Sequence, residues 1–394
     1  MDLKIICVFL FLIVSVIVFH SEFIGADTKS NNYKEFTNKT IIGKLNPDPN
    51  SLVEAYSNGA YLSSYSIPEA NDLIIKDGNW TINKMSEQHP EIIEKIKPQD
   101  SKETFFVKRS ILIDKGATLN ILNSSILFKS LSSKDNNPAV LITYGRTNII
   151  NSTVKSWDQE NNRPDPNPYH PRSFLVAKNG GQMNVIGSQI SYLGFSLGGV
   201  HTLESSLAAL DYYNTSQFII TNSTLDNNLY GFYSDESSKF KLIGNEIFAN
   251  VGYGLDPHSG SKDFIIDSNH IFANGGQGII CSFRCKNMTV SNNIVEFNIE
   301  GIGLHWLTNS SIVKNNVVKY NKGYGIYIKT SSNDNILEHN SVLGNGNGIG
   351  LLDNSNRNAI KSNILIGNLL DEAQIHQDED SQLNFIEGNN YDSK

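Results

Sequence analysis

The sequence predicts an all-β chain wound as a right-handed parallel β-helix, and three observations carry that expectation. Glycines recur at Gly231, Gly254, Gly278, Gly301, Gly325 and Gly348, in steps of 23, 24, 23, 24 and 23 residues. Two asparagine columns keep the same period. One runs Asn222, Asn245, Asn269, Asn293, Asn316, Asn340, Asn363; the other runs Asn227, Asn250, Asn274, Asn298, Asn321, Asn345, Asn368. Between these markers lie short runs rich in β-branched residues, too short for pairs of helices. A fixed step of this size means stacked structural units. Asn suits the turns because it tolerates left-handed backbone. Identical Asn side chains stacked at the strand spacing can hydrogen-bond from coil to coil. The hand follows because parallel crossovers are almost always right-handed.

The remaining elements follow in chain order. Residues 1–26 carry Lys4, an almost unbroken apolar run from Ile5 to Phe19, and small residues at Gly25 and Ala26. This pattern predicts a signal peptide, or else an uncleaved N-terminal anchor; both place the rest of the chain outside the cytoplasm, as a periplasmic, cell-surface or secreted protein. Residues 27–105 lack the repeat and are expected to cap the open end of the solenoid, where strand edges would otherwise be unpaired. A short helix is expected over Pro90–Ile96, with proline in its first turn. The solenoid itself is assigned to 106–370. Its early coils are looser, over 111–127, 140–154 and 174–190, with insertions at 134–138 and 158–171. The step from Gly199 to Gly231 is 32 residues, nine more than a 23-residue coil, which predicts a loop near Ser205–Tyr213. Residues 371–394 are expected to cover the other end.

Composition narrows the partners. A formal net charge of −8 and a pI near 5.6 argue against nucleic acid. A polyanionic sugar would need a local basic cluster to offset the overall repulsion. Beyond the first segment no apolar run approaches the ~20 residues that span a bilayer. Cys7 lies in that segment, leaving Cys281 and Cys285, which are too few for a disulfide framework. A bridge between these two would close a tight loop.

Within each coil, alternation assigns the faces. After each glycine the first and third residues (Phe232/Ser234, Leu255/Pro257, Ile279/Cys281, Ile302/Leu304, Ile326/Ile328, Ile349/Leu351) are nearly all apolar and point inward. The second and fourth (Tyr233/Asp235, Asp256/His258, Ile280/Ser282, Gly303/His305, Tyr327/Lys329, Gly350/Leu352) are expected to face solvent. They form a lengthwise strip, one coil above the next at about 4.8 Å, suited to an extended polymer.

One coil stands apart, Tyr253-Gly254-Leu255-Asp256-Pro257-His258. Pro257 removes a ladder donor, as expected where a strand is bent to aim side chains. Asp256 and His258 share the outward parity, and Asp235 sits one coil away in the register of His258. Two carboxylates beside an imidazole are expected to raise its pKa and hold its orientation, giving a general acid–base cluster. The plain alternative is a surface strand with ordinary polar residues.

Tyr-Gly-x-Asp-Pro-His on a β-helix strand resembles the signature of the mannuronan C5-epimerases, the alginate-modifying members of the pectin-lyase-like superfamily. The preceding coil, from Leu229 to Ser237, resembles the corresponding coil of the periplasmic members. The resemblance covers roughly residues 185–370 and is strongest over 229–260. It implies an isomerase that converts D-mannuronate to L-guluronate within an alginate-like, uronic-acid polysaccharide. Carried over residue by residue, it makes His258 the base that removes the C5 proton and Tyr253 the acid that returns one from the opposite face. Asp256 and Asp235 match the acidic positions beside the sugar. The substrate carboxylate becomes dianion-like on proton loss, so a cation or a protonated acid must offset it. Arg284, His305 and Lys329 are the candidate cations, and Tyr233 and Tyr327 the neighbouring substrate contacts. The sequence departs from the family at Ser259, where periplasmic members have Asp, and at Ile299-Glu300, where the secreted calcium-dependent members have a basic pair. Ser282 also stands where those secreted members have Asp, and Arg284 is displaced by one residue from the periplasmic Arg. No calcium-binding nonapeptide repeats occur, so no cofactor is required by the sequence, with Ca²⁺ the one ion the family would suggest. The resemblance also implies the cell-envelope polysaccharide export machinery as a partner. Two other classes fit the same features: a lyase acting by β-elimination through the same carbanion, and a non-catalytic glycan-binding or periplasmic accessory β-helix.

Overall fold

A computed structural model describes residues 72–98, 101–130, 138–196, 206–368 and 374–391. The expected leader and most of the expected cap, over 27–71, lie outside these residues. What is described is a parallel β-helix. Strands pair with their counterparts one coil on, forming one sheet of 22 strands and a second of 14. The core runs unbroken along the axis, from Leu73 to Leu365. Under the unusual coil it is aromatic, with Phe240 stacked on Phe264 at 4.2 Å and Phe232 against both.

The turns are held by side-chain ladders. Asn293 shows the unit. Its amide nitrogen donates to Ile266 O and to Asn316 Oδ1, both at 2.9 Å, while its Oδ1 accepts the backbone and side-chain N–H of Asn269 at 2.9 Å. Each buried amide is thus satisfied by the coils on either side, as burial demands. The first column extends to Asn389, and the second ends where the Asn368 amide donates to Gln374 Oε1 at 2.6 Å. At their other end the expected members slip by one residue. Ser223 and Asn228, not Asn222 and Asn227, join the columns, because the preceding coil continues as serines at Ser188 and Ser152. A third column is built from hydroxyls, and Cys285 occupies one of its rungs. Its Sγ donates to Pro257 O at 3.3 Å and Ser282 O at 3.0 Å, as the Thr308 hydroxyl does to Cys281 O and His305 O. Cys281 and Cys285 are both free thiols, so no bridge forms.

Four boundaries differ from expectation. The helix is Ile82–Gln88, not Pro90–Ile96, because the Thr81 side chain caps it by accepting from the Lys84 amide and turns Ile82 and Met85 inward. Residues Ile93–Ile96 instead form a strand antiparallel to Glu103–Val107. The ladder starts well before residue 106, since Leu73–Thr81 pairs in parallel with Ile111–Leu122. It also runs past residue 370, as Ile375–Gln377, Phe385–Glu387 and Asn390–Tyr391 add another set of parallel strands. Part of the expected loop near Ser205–Tyr213 is a ladder strand, Leu210–Tyr213, preceded by an antiparallel pair of Phe195–Ser196 with Ser206–Leu207.

Candidate active site

The register sets two outward columns side by side. One contains Val176, Asp211, Tyr233 and Asp256; the other contains Lys178, Tyr213, Asp235 and His258. Between the strand Leu255–His258 and the next coil only Leu255 and Ile279 keep ladder register. Pairing of the strands resumes at the Ser259 amide, which donates to Ser282 O. The break at Pro257 is therefore real.

The outward strip is not the solvent-facing strip expected. Asp256 is 1% exposed, Tyr327 4% and His258 9%. Tyrosine rings fold down onto glycines of neighbouring coils and cover it. A Cβ added to Gly303 would lie 2.4 Å from the Tyr327 ring, and one on Gly276 would lie 2.6 Å from that of Tyr253. Tyr253 is in turn stacked on Tyr230 at 5.1 Å.

His258 is sandwiched along the axis between Phe283, parallel to it at 5.8 Å, and the tilted ring of Tyr233 at 5.5 Å. Its Nδ1 lies 2.7 Å from Ser259 Oγ and 3.4 Å from the Tyr233 hydroxyl. Neither Asp256 nor Asp235 is bonded to the ring. Burial, with a smaller contribution from His305, lowers the His258 pKa to about 4. The expected rise is thus reversed: desolvation acts on the imidazole directly, while the neighbouring carboxyls are themselves driven toward their neutral forms. Asp256 is held well above the ordinary carboxyl range by burial and by Asp235, and neither of its oxygens has a hydrogen-bond partner. Asp235 is raised to about 6 by burial and Glu236, against a hydrogen bond from Ser259. Burial and the charge of Asp256 raise Tyr253. A structural carboxyl at this depth would be bonded, since an unpaired buried acceptor costs about 1–3 kcal/mol.

The candidate cations fare differently. Phe283 and Arg284 both lie in the left-handed region, at φ 61° and 68°, so the chain turns off the strand there. Phe283 is brought against His258, while Arg284 is exposed, its guanidinium 5.2 Å from the Phe283 ring. Lys329 is 43% exposed and pairs with Asp353 at 3.7 Å. His305 is partly buried and lowered by desolvation and Lys329, which favours its neutral form. Tyr233 touches the site, whereas Tyr327 lies beneath the surface with its hydroxyl 3.1 Å from Gln277 Nε2. Among the described residues no group of three or more His, Cys, Asp or Glu side chains is placed to hold a metal ion.

A mannuronan C5-epimerase of Pseudomonas aeruginosa is 26% identical over 239 residues, covering 58% of this chain and 42% of its own. One from Azotobacter vinelandii is 26% identical over 191 residues, covering 46% and 36%. The chain is similar in sequence to these mannuronan C5-epimerases. It spans less than half the length of these two relatives. Among solved structures, the periplasmic alginate epimerase AlgG superposes with a TM-score of 0.73 at 18% identity, covering 90% of this chain and 91% of that one. The A-module of the Azotobacter vinelandii mannuronan C-5 epimerase AlgE6 gives 0.55 at 12%, covering 74% and 90%. These two establish the fold. A family described as periplasmic copper-binding protein (NosD) matches residues 204–391.

The structure adds residues that sequence reasoning passed over. Ser259 links His258, Asp235 and Tyr233. Asp211 is 1% exposed, with one oxygen unpaired and the other 3.4 Å from the Ala208 amide. Lys178, 1% exposed, heads the column that ends in His258, and burial lowers its pKa to about 8. Extending the outward parity two coils upstream would have found Asp211 and Lys178.

Proposed function

We propose that this chain is a polysaccharide C5-epimerase, converting D-mannuronate to L-guluronate residues within an alginate-like polymer. The observation that carries the reading is a buried His258 beside a buried, unbonded Asp256 on the strand Leu255–His258, which Tyr253 precedes. With Nδ1–H donating to Ser259 Oγ, His258 Nε2 keeps the lone pair that removes the C5 proton. A protonated Asp256 offers an O–H to the substrate carboxylate as that group gains charge, the role a carboxyl held neutral by burial can fill. The Tyr253 hydroxyl returns a proton to C5 from the other face, inverting the centre. Deprotonation and reprotonation balance, and every step uses side chains of this chain. The long outward columns fit an extended sugar polymer, with Trp306, 48% exposed, and Phe283 on the rim for ring stacking. A role outside the cytoplasm, alongside polysaccharide export machinery, belongs to the same proposal.

Proton NMR of polymannuronate incubated with the chain in D₂O, with ultraviolet absorbance read in parallel, tests it. Guluronate signals with deuterium at C5 and flat absorbance are expected. Rising absorbance from unsaturated ends would instead identify a lyase using the same carbanion. The NosD match favours a second reading, a binding or accessory solenoid, and neither signal from a folded chain would leave that one standing.

A further inference from the structure

The residue that leaves the outward strand has left-handed backbone in coil after coil, at Asn214, Glu236, Ser259, Phe283, Trp306 and Thr330. The strand ends before them lie in register, Tyr213 with Asp235, Asp235 with His258, Ser282 with His305 and His305 with Lys329, so the turns form one column. Polar residues are at home in such turns, and a bulky ring with this backbone is an outlier. The two rings, Phe283 and Trp306, occupy the two coils directly after His258. Ladder bonds hold both in place, the Phe283 amide donating to His305 O and the Trp306 amide to Lys329 O, each at 3.1 Å.

Phe283 lies parallel to the His258 ring, whereas the Trp306 indole stands 72° from Phe283 at 5.4 Å. The indole is thereby turned out of the stack, and it is 48% exposed. Beside it the exposed Arg284 guanidinium sits 5.2 Å from the Phe283 ring. Packing on an aromatic face leaves the N–H donors of a guanidinium free to take a carboxylate as a pair. Lys329, the nearest alternative, is already paired with Asp353. An aromatic face for the apolar side of a pyranose and a planar cation for a carboxylate together match one uronate residue. At about 4.8 Å per coil the Trp306 turn lies roughly 10 Å along the axis from His258, so the sugar held there is not the one that reacts.

We infer that Phe283, Arg284 and Trp306 form a subsite for a uronate residue that neighbours the reacting sugar along the polymer. Trp306 stacks on its ring, Arg284 binds its carboxylate, and Phe283 orients both. The inference takes its ligand from the epimerase reading. It gives the exposed Arg284 a sugar away from His258, and it makes affinity depend on chain length, because a short oligomer cannot fill both places.

Of the three tryptophans only Trp306 is exposed, so tryptophan fluorescence reads this subsite apart from turnover. Titration of the full chain with oligomannuronates from trimer to hexamer should shift its emission to the blue, with affinity rising at least tenfold along the series. Trp306→Ala should lose both the shift and the gain with length. Trp306→Phe should recover most of the affinity without the shift. Arg284→Gln should cut at least fivefold the preference for hexamannuronate over an uncharged cello-oligosaccharide of equal length. A Trp306→Ala chain that keeps the gain with length overturns the inference, as does an Arg284→Gln chain with the parent preference. Guluronate formation by a parent chain that shows no shift overturns the subsite alone. A shift and length gain without guluronate defeat the epimerase reading and leave the subsite standing.

Discussion

Raising the pH from 5 to 7 should lower kcat/KM on polymannuronate roughly tenfold. The productive form needs His258 neutral and Asp235 protonated, because an ionised Asp235 sets a fixed negative charge beside the carboxylate that must gain charge in the transition state. With pKa values of about 4 for His258 and about 6 for Asp235, about 0.8 of the chains hold both forms at pH 5. At pH 7 His258 is still neutral, but only about 0.1 retain the Asp235 proton. The profile should therefore fall on its basic side near pH 6, while the base itself is lost only near pH 4. Asp235→Asn carries no titrating proton there, so its rate should stay flat from pH 5 to 7. Initial rates from the C5-deuteration signal, with circular dichroism at each pH, measure both profiles. A parent enzyme equally active at pH 5 and 7, or a variant that keeps the basic limb, would refute the assignment of that limb to Asp235.

Four further outcomes follow from the same contacts. Asp256→Asn should abolish turnover while leaving Tm unchanged or higher, because neither oxygen has a bond to lose; a clear drop in Tm would make Asp256 structural. Tyr253→Phe should keep the stack on Tyr230 and cut turnover by about 10²–10⁴, checked by the same NMR assay alongside Tm. Asn293→Ala strips partners from Ile266 O and from two N–H groups of Asn269, so urea unfolding should show a loss of about 3–9 kcal/mol at about 1–3 per orphaned group. His258→Gln should flatten the acid limb of stability. The folded imidazole resists protonation until about pH 4, so the unfolded state takes up the proton first and stability falls from pH 6.5 to 4, by about 3 kcal/mol in all.

Much of the fold was legible because a solenoid repeats one burial problem. Each coil must bury the same parity and satisfy the same turn, so the glycine and asparagine periods report the coil length directly. The one-residue slip at Ser223 and Asn228 shows the limit: a neighbouring Asn in each case imitates the rung, and only the coil-to-coil hydrogen bonds tell them apart. Alternation gave the direction of Asp256 and His258 but not their burial. What covers the strip is tyrosine facing glycine across coils, as Tyr327 does Gly303, and that pairing needs the register. The helix was misplaced because Pro90 offered a start signal, while Thr81 supplied the cap that the chain uses. Arg284 was located by resemblance, and its turn geometry, invisible in sequence, carries it off the ladder.

Under the epimerase proposal, burial also resolves the conflict between an acidic chain and an acidic polymer. Asp211, Asp235, Asp256 and Glu300 would repel a polyuronate if all were ionised. Each of the four is instead pushed toward its protonated form, chiefly by desolvation. A neutral carboxyl attracts a carboxylate through a hydrogen bond, so the residues that look hostile in the sequence become donors in the fold. The same desolvation keeps His258 unprotonated, so acid and base are prepared by one physical cause and need no ion pair between them. The arrangement confines activity to the interval in which both conditions hold. That is why its pH dependence, more than any single distance, bears on whether these residues perform the chemistry.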